Sequence, residues 1–259
     1  LDAGMRRALT IILYWFAFAD QLVGDSCADL GAGMADTCIQ ATYSWIEAIE
    51  KSIHAPTYAR LLEFYVDPEG EGRGAKDLMQ DLVRPKVNAV QELLSGATQS
   101  LRLFVQAAVE SILFQLSFRL IVVVRRDKGP QALGLANDAI SRDEGDHVKW
   151  AAAVYQALGL RVSKEEAWAV VERLVQEEKG FIRSLLGSGA GVPGLSFEEM
   201  GAYAEFIGDY VLRLFGIEER WGTANPFPDQ ASVVVQRVNS FFEVGTAVYQ
   251  LSGGDVVPD

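Results

Sequence analysis

A chain of 259 residues with 49% hydrophobic side chains can bury a sizeable core, and a net charge of -12 with a pI near 4.7 argues against a nucleic-acid or anionic-membrane binder. Its two cysteines, Cys27 and Cys38, match neither a zinc pattern nor a disulfide framework, so a reducing cytoplasm is the expected compartment. The apolar run from Ala8 to Ala19 is shorter than the roughly 20 residues a membrane span needs, and no small-residue cleavage site follows it, so no membrane association is expected.

In chain order, Leu9 to Leu22 is apolar on most sides and predicts a buried helix, with Gly24, Gly31 and Gly33 marking its end. The numbering opens at Leu1 rather than Met, so more chain is expected upstream. A second helix is predicted from Asp36 to Val66, kinked at Pro56 where one backbone donor is lost, and a shorter amphipathic one from Lys76 to Leu94. Ser100 to Val124 reads as a very apolar helix with one acid inside it, Glu110. Asp127-Lys128-Gly129-Pro130 then turns the chain into a helix from Gln131 to Leu158. Ser163 with Glu166, and Ser196 with Glu199, carry the capping-box spacing for helices ending near Leu186 and Phe215. Gly187 to Gly191 follows a helix rather than a strand and reads as a linker, not a phosphate loop. A last helix carrying Phe241 and Phe242 is expected after Asn225-Pro226-Phe227-Pro228. No alternating strand pattern occurs, so the expected fold is an all-α bundle in one domain over 1–250, with a flexible tail over 251–259.

The chain has only two histidines, and both lie in helical stretches with charged residues one turn upstream. Glu144 and His147, three apart, share a helical face and form a metal-ligand pair. Glu110 lies 17 residues before Asp127 and Glu144 15 after Gly129. At about 1.5 Å per residue both therefore sit about 25 Å from the turn, at one height. The two halves of the chain repeat this plan, with Asp20 preceding Lys51-x-x-His54 by 31 residues and Glu110 preceding Glu144-x-x-His147 by 34. Asp20 and Glu110 sit in apolar helices, where an unpartnered acid is costly. The layout is that of ferritin-like carboxylate bundles, whose helices aim acids and two histidines at a pair of iron or manganese ions.

Ile53-His54-Ala55-Pro56-Thr57-Tyr58, Val109-Glu110-Ser111-Ile112 with Phe114 and Phe118, and Arg142-Asp143-Glu144-Gly145-Asp146-His147 resemble motifs of the small, radical-generating subunit of class I ribonucleotide reductase. So do Asn225-Pro226-Phe227, Asn239-Ser240-Phe241-Phe242 and Tyr249-Gln250, in the family's order and spacing. The resemblance implies a ferritin-like homodimer that stores an oxidising equivalent for a separate large catalytic subunit, where ribonucleotides are reduced. It implies metal ligands at Asp20, His54, Glu110, Glu144 and His147, a radical tyrosine at Tyr58, and an apolar shield from Phe114, Phe118 and Ile140. Asp143 would orient His54. A stand-alone ferritin-like oxidase acting on a small molecule is the rival expectation, and a metal-free homologue kept for assembly a third.

The first half departs from this pattern, because Lys51 stands where a ligating glutamate is expected and an ammonium cannot coordinate a metal. Three outcomes follow. Glu50, four residues before His54, supplies the missing oxygen after a small helix rotation eased by Pro56. Alternatively one metal binds at Glu110, Glu144 and His147 while Lys51 replaces the other ion's charge. In the third, Lys51 pairs with the acids and no metal binds, with Tyr58 modified or without a radical. Lys51 therefore counts as a site residue here, against the plain alternative of an exposed pair with Glu47. The resemblance also implies an upstream tryptophan continuing radical transfer from Asp143 and a tail tyrosine carrying it across to the large subunit; neither is found within 1–259, so transfer would use further chain or another route.

Overall fold

In a computed structural model, residues 3–65, 73–126, 131–186 and 194–228 are described, and among them the chain is helical, with no strand. The helices are α1 (Ala3–Ala32), α2 (Thr37–Ile49), a π-helical turn π1 (Glu50–His54), α3 (Ala55–Tyr65) and α4 (Arg73–Leu94). They continue with α5 (Gln99–Ala108), a second π turn π2 (Val109–Leu113), α6 (Phe114–Arg126), α7 (Gln131–Ala157), α8 (Lys164–Leu186) and α9 (Phe197–Leu214). Side-chain oxygens set the starts. Asp36 accepts from the amides of Cys38 and Ile39, Thr98 from that of Leu101, and Ser196 and Glu199 form the expected capping box. Ser163 and Glu166 pair in the same reciprocal way. At the end of α9 the chain turns through Gly216 at φ 71°, which lets the Ile217 amide reach back to the Leu212 carbonyl.

Four rods make the core: α1, the continuous run α2–π1–α3, the run α5–π2–α6, and α7. α1 packs along α2 and α3, α5 and α6 pack along α7, and α4, α8 and α9 close the outside. Two helices, Arg6–Ala32 and Gln99–Val123, are long and apolar enough to cross a membrane by composition, but the second is 94% buried within the bundle. That apolar surface is spent on the core.

Gly24 does not end the first helix, as its sequence suggested; α1 runs through it to Ala32. Gly24 is instead a close-approach point, where an added Cβ would lie 2.9 Å from Lys51 Cγ and 3.4 Å from Glu50 Cβ. Pro56 is accommodated without a break. Its missing N–H and the clash of its ring with the carbonyl four residues back are absorbed by the widened turn π1, closed by the Ala55 amide donating to the Glu50 carbonyl. The turn 127–130, the linker 187–191, the expected helix around Phe241 and Phe242, the motifs at 239–250 and the tail 251–259 lie outside the described residues.

Beyond α9, the fully buried carboxylate of Asp209 accepts from three consecutive amides: Arg220 at 2.7 Å, Trp221 at 3.1 Å and Gly222 at 2.7 Å. Charge-assisted bonds of this kind contribute about 1.5–3 kcal/mol each. Asp209→Ala is therefore expected to destabilise the fold by about 3–5 kcal/mol in thermal or denaturant unfolding. A loss under about 1 kcal/mol would show that the 216–222 segment is held by packing alone.

Candidate metal centre

Each core rod delivers polar residues to the buried interior between the rods. α1 brings Asp20, π1 brings Glu50 and His54, π2 brings Glu110, and α7 brings Glu144 and His147. All four acids and His54 are fully or almost fully buried, and His147 is 9% exposed. Glu50 and Glu144 each reach both imidazoles. Glu50 places Oε2 3.3 Å from His54 Nδ1 and Oε1 3.1 Å from His147 Nδ1. Glu144 places Oε1 3.2 Å from His54 Nδ1 and Oε2 3.6 Å from His147 Nδ1. The two rings lie 6.2 Å apart between centroids. Asp20, Glu50 and His54 form one cluster of ligand atoms within 4.8 Å of one another, and Glu50, Glu144 and His147 form a second. Glu50 is common to both.

The π turns explain why Glu50, and not Lys51, occupies the site. In an α-helix, at about 100° per residue, positions three and four before a histidine straddle it by about 60° and 40°. In a π turn of roughly 4.4 residues, the position four before lies roughly 33° from the histidine and the one three before roughly 115° away. π1 therefore turns Glu50 inward beneath His54 and Lys51 out. This corrects the expectation that Lys51 belongs to the site. Its ammonium pairs with Asp25 at 2.7 Å and Glu47 at 2.9 Å, with its side chain 29% exposed. Those partners, Asp25 first, hold the ammonium pKa above its usual value.

The remaining assignments can be read from their contacts. Asp143, half exposed, meets His54 Nε2 at 3.3 Å, so this acid holds the Nε2–H and leaves Nδ1 facing the carboxylates. Tyr58, one turn after His54, is fully buried. Phe16 stacks on its ring at 4.5 Å and in turn on Phe118 at 4.7 Å, with Phe114 at 5.6 Å from Phe16. Ile140 is buried as well. Two contributors were missed from sequence alone. Phe16 was hidden in a uniformly apolar run. Gln106, which donates to Glu110 Oε1 at 2.5 Å, left a usable signal as an amide one turn before an acid in an otherwise apolar segment.

Electrostatics show what such a cluster requires. Burial, reinforced by the charges of Glu50 and Glu144, pushes the Asp20 carboxyl well up, and burial does the same to Glu110. Burial would raise Glu144 too, but the imidazoles of His147 and His54 beside its two oxygens hold it down at about 2. Burial alone would lower His54, yet its bonds to Asp143, Glu144 and Glu50 push it up to about 12; His147 is raised by Glu144 and Glu50. The buried acids thus hold protons on the two imidazoles, and Asp20 and Glu110 keep their own. The fit to metal is direct. Both oxygens of Asp20, Oε1 of Glu50, Oε2 of Glu144 and Nδ1 of His147 are buried without an aligned hydrogen-bond partner, although Glu50 Oε1 and His147 Nδ1 are within ion-pair distance. Unsatisfied hard oxygen and imidazole donors converging on one point are a ligand set for first-row metal ions.

A pH dependence follows from these shifts. The groups raised in the fold (both histidines, Asp20 and Glu110) stabilise it fully only below their unfolded pKa values, about 4 for the acids and 6.5 for histidine. That contribution is lost as pH rises toward the folded values. Glu144 runs oppositely, its contribution fading only as pH falls from about 4.5 toward 2. The metal-free chain is therefore expected to melt at progressively lower temperature from about pH 6.5 to 9.5, and saturating Mn(II) to reverse the trend by taking the place of the protons. Thermal melts at three pH values, with and without Mn(II), measure this; a metal-free melting temperature that rises with pH contradicts it.

A helical bundle that turns Asp20, Glu50, Glu144 and two histidines onto one buried point, with the buried Glu110 outside both ligand clusters but within electrostatic reach of them, has the layout of the ferritin-like class of dinuclear carboxylate proteins. Comparison with known proteins narrows this. A family model described as "Ribonucleotide reductase, small chain" matches residues 1–226, and the chain belongs to that family. The chain is 29% identical over 256 residues to the ribonucleoside-diphosphate reductase small chain of Nicotiana tabacum, covering 96% of this chain and 76% of that one. It is 27% identical over 246 residues to the Vaccinia virus (strain Copenhagen) small chain, covering 93% and 76%. Among solved structures, the ribonucleotide reductase Rnr4 homodimer of Saccharomyces cerevisiae shares the fold at TM-score 0.74 and 20% identity, covering 96% of this chain and 77% of that one. The dimanganese(II)-NrdF of Streptococcus sanguinis does so at TM-score 0.75 and 17% identity, covering 91% and 85%.

Proposed function

We propose that this small chain binds two iron or manganese ions between Asp20, Glu50, His54, Glu110, Glu144 and His147, stores a radical on Tyr58, and passes it to a separate large chain that reduces ribonucleotides. The observation carrying the proposal is the pairing of Glu50 and Glu144, each reaching both imidazoles, beside a phenol sealed from solvent. When bound, the ions would supply the one-electron oxidising chemistry, fed by an oxygen-derived oxidant. The chain's residues supply the rest. Burial, with the charge of Asp20 next in strength, pushes the Tyr58 phenol well above its usual pKa, so it rests protonated. Its oxidation must release that proton toward the buried acids beside it, of which Asp20 exerts the strongest charge on the phenol. Phe16, Phe114 and Phe118 keep water and reductants from the ring.

Homodimerisation is supported by exposed apolar side chains on α1, α2, π1 and α3: Phe18, Trp45, Ile53 and Phe64, the last 74% exposed. The two free cysteines suit a reducing cytoplasm. The test is to load the metal-free chain with Fe(II) and oxygen, or with Mn(II) and a suitable oxidant, count bound metal, record the electron paramagnetic resonance spectrum, and add a large chain with ribonucleotide. About two ions per chain and a tyrosyl signal are expected. Absence of both bound metal and radical overturns the proposal.

A further inference from the structure

A second buried charge pair stands behind the metal site. Lys86 of α4 and Glu178 of α8 are both fully buried, with Nζ 2.6 Å from Oε2, and the other glutamate oxygen has no hydrogen-bond partner. The ammonium lies 3.9 Å from the centroid of the Trp15 ring and 4.0 Å from that of Phe181. It also donates to the Leu113 carbonyl at 3.3 Å, and Trp15 Nε1 donates to the same oxygen at 3.1 Å. Leu113 closes π2, the turn that holds Glu110.

A buried ion pair of this kind is a poor source of stability, because apolar residues of similar volume commonly do as well or better. Burial drives both partners toward neutrality, lowering the lysine and raising the glutamate. What the pair supplies is direction. A π turn is the uncommon helical register, and a one-residue slip would swing Glu110 about 100° away from the site. Two side-chain donors, from α1 and α4, meet on the carbonyl at the end of that turn, and the lysine that supplies one of them is gripped by α8.

We propose that Lys86, held by Glu178 and backed by Trp15, is a positioning residue that locks π2 in its register and thereby aims Glu110 at the metal ions. The inference rests on the metal reading above. Its test uses a double variant, Lys86→Met with Glu178→Leu, which removes both charges and leaves neither stranded, together with Trp15→Phe, which keeps the ring and removes one donor. The readouts are thermal stability, the affinity of the metal-free chain for Mn(II) alone, and amide hydrogen exchange over 109–117. The double variant is expected to melt near the parent temperature, bind Mn(II) roughly 10–100-fold more weakly, as loss of an outer partner does, and exchange faster over that segment. Trp15→Phe should move in the same direction by a smaller factor. Mn(II) affinity within about threefold of the parent in both variants overturns the proposal, whatever the exchange shows. Should the double variant fail to fold, Trp15→Phe alone decides. If the parent itself binds no Mn(II), the metal reading fails, and unchanged exchange over 109–117 in the variants overturns the positioning role separately.

Discussion

Glu50→Gln is expected to lower the metal content from about two ions per chain to one or none, whereas Lys51→Met leaves it unchanged. Glu50 is the acid shared by both ligand clusters, with one oxygen toward each imidazole, so its loss removes a donor from both positions at once. Loss of a partner that only orients a ligand costs roughly 10–100-fold in affinity, and loss of the shared ligand should exceed that. Glutamine keeps the volume and one acceptor, so a folding defect is not the expected cause. Lys51 points the other way, paired with Asp25 and Glu47 at the surface. Surface pairs contribute under about 1 kcal/mol, so Lys51→Met should cost no more than that in stability. Isothermal titration with Mn(II) and elemental analysis of both variants separate the cases. If Lys51→Met gained metal while Glu50→Gln lost none, the ammonium would belong in the site after all.

That contrast marks the boundary of what the amino-acid order reveals. The helices were legible because apolar periodicity and caps such as Ser196 with Glu199 act within a few residues. The burial of Asp20 and Glu110 was legible because a charge inside an apolar helix is costly and needs a reason, and the convergence of Glu144 and the two histidines because their spacing repeats one plan. The role of Asp143 came with the family resemblance and agrees with its contact to His54 Nε2. Lys51 was misread because counting residues assumes an α-helical pitch, and two turns of this protein depart from it. Pro56 offered a partial signal, since a proline two residues past His54 must disturb the hydrogen bonds there. For π2 no such residue announces the change, and its register depends on donors from α1 and α4 that are distant in the chain. Gly24 was misread for a related reason. Inside a helix a glycine weakens the helix locally, but here it admits the neighbouring rod that carries Glu50.

The site is also an electrostatic liability without cations. Asp20 is raised first by burial and then by Glu50 and Glu144, and Glu110 by burial, with Glu144 and Glu50 opposing the relief that His147 gives it, so the metal-free fold carries buried charge at a cost. Cations in the same place would convert each of those terms from a cost into attraction. The cluster is therefore placed for binding rather than for stability, in keeping with the departures from helical regularity on both sides of it.

Tyr58→Phe is expected to abolish the radical signal and ribonucleotide reduction while leaving the fold intact. The Tyr58 hydroxyl is buried with no protein partner, so removing it relieves an unsatisfied polar group, and the metal-free variant should be as stable as the parent or more so by up to about 1 kcal/mol. The ring remains, and with it the stack on Phe16 at 4.5 Å. Metal binding should persist, because the phenol is not among the ligand groups. The chemistry cannot persist, since phenylalanine has no O–H to lose and no accessible one-electron oxidation at this site. Melting temperature, metal count and the paramagnetic spectrum, taken together on one preparation, distinguish loss of the radical carrier from loss of structure. A variant that kept an organic radical with the same amplitude would assign the oxidising equivalent to another side chain, and the sealed position of Tyr58 would then be packing alone.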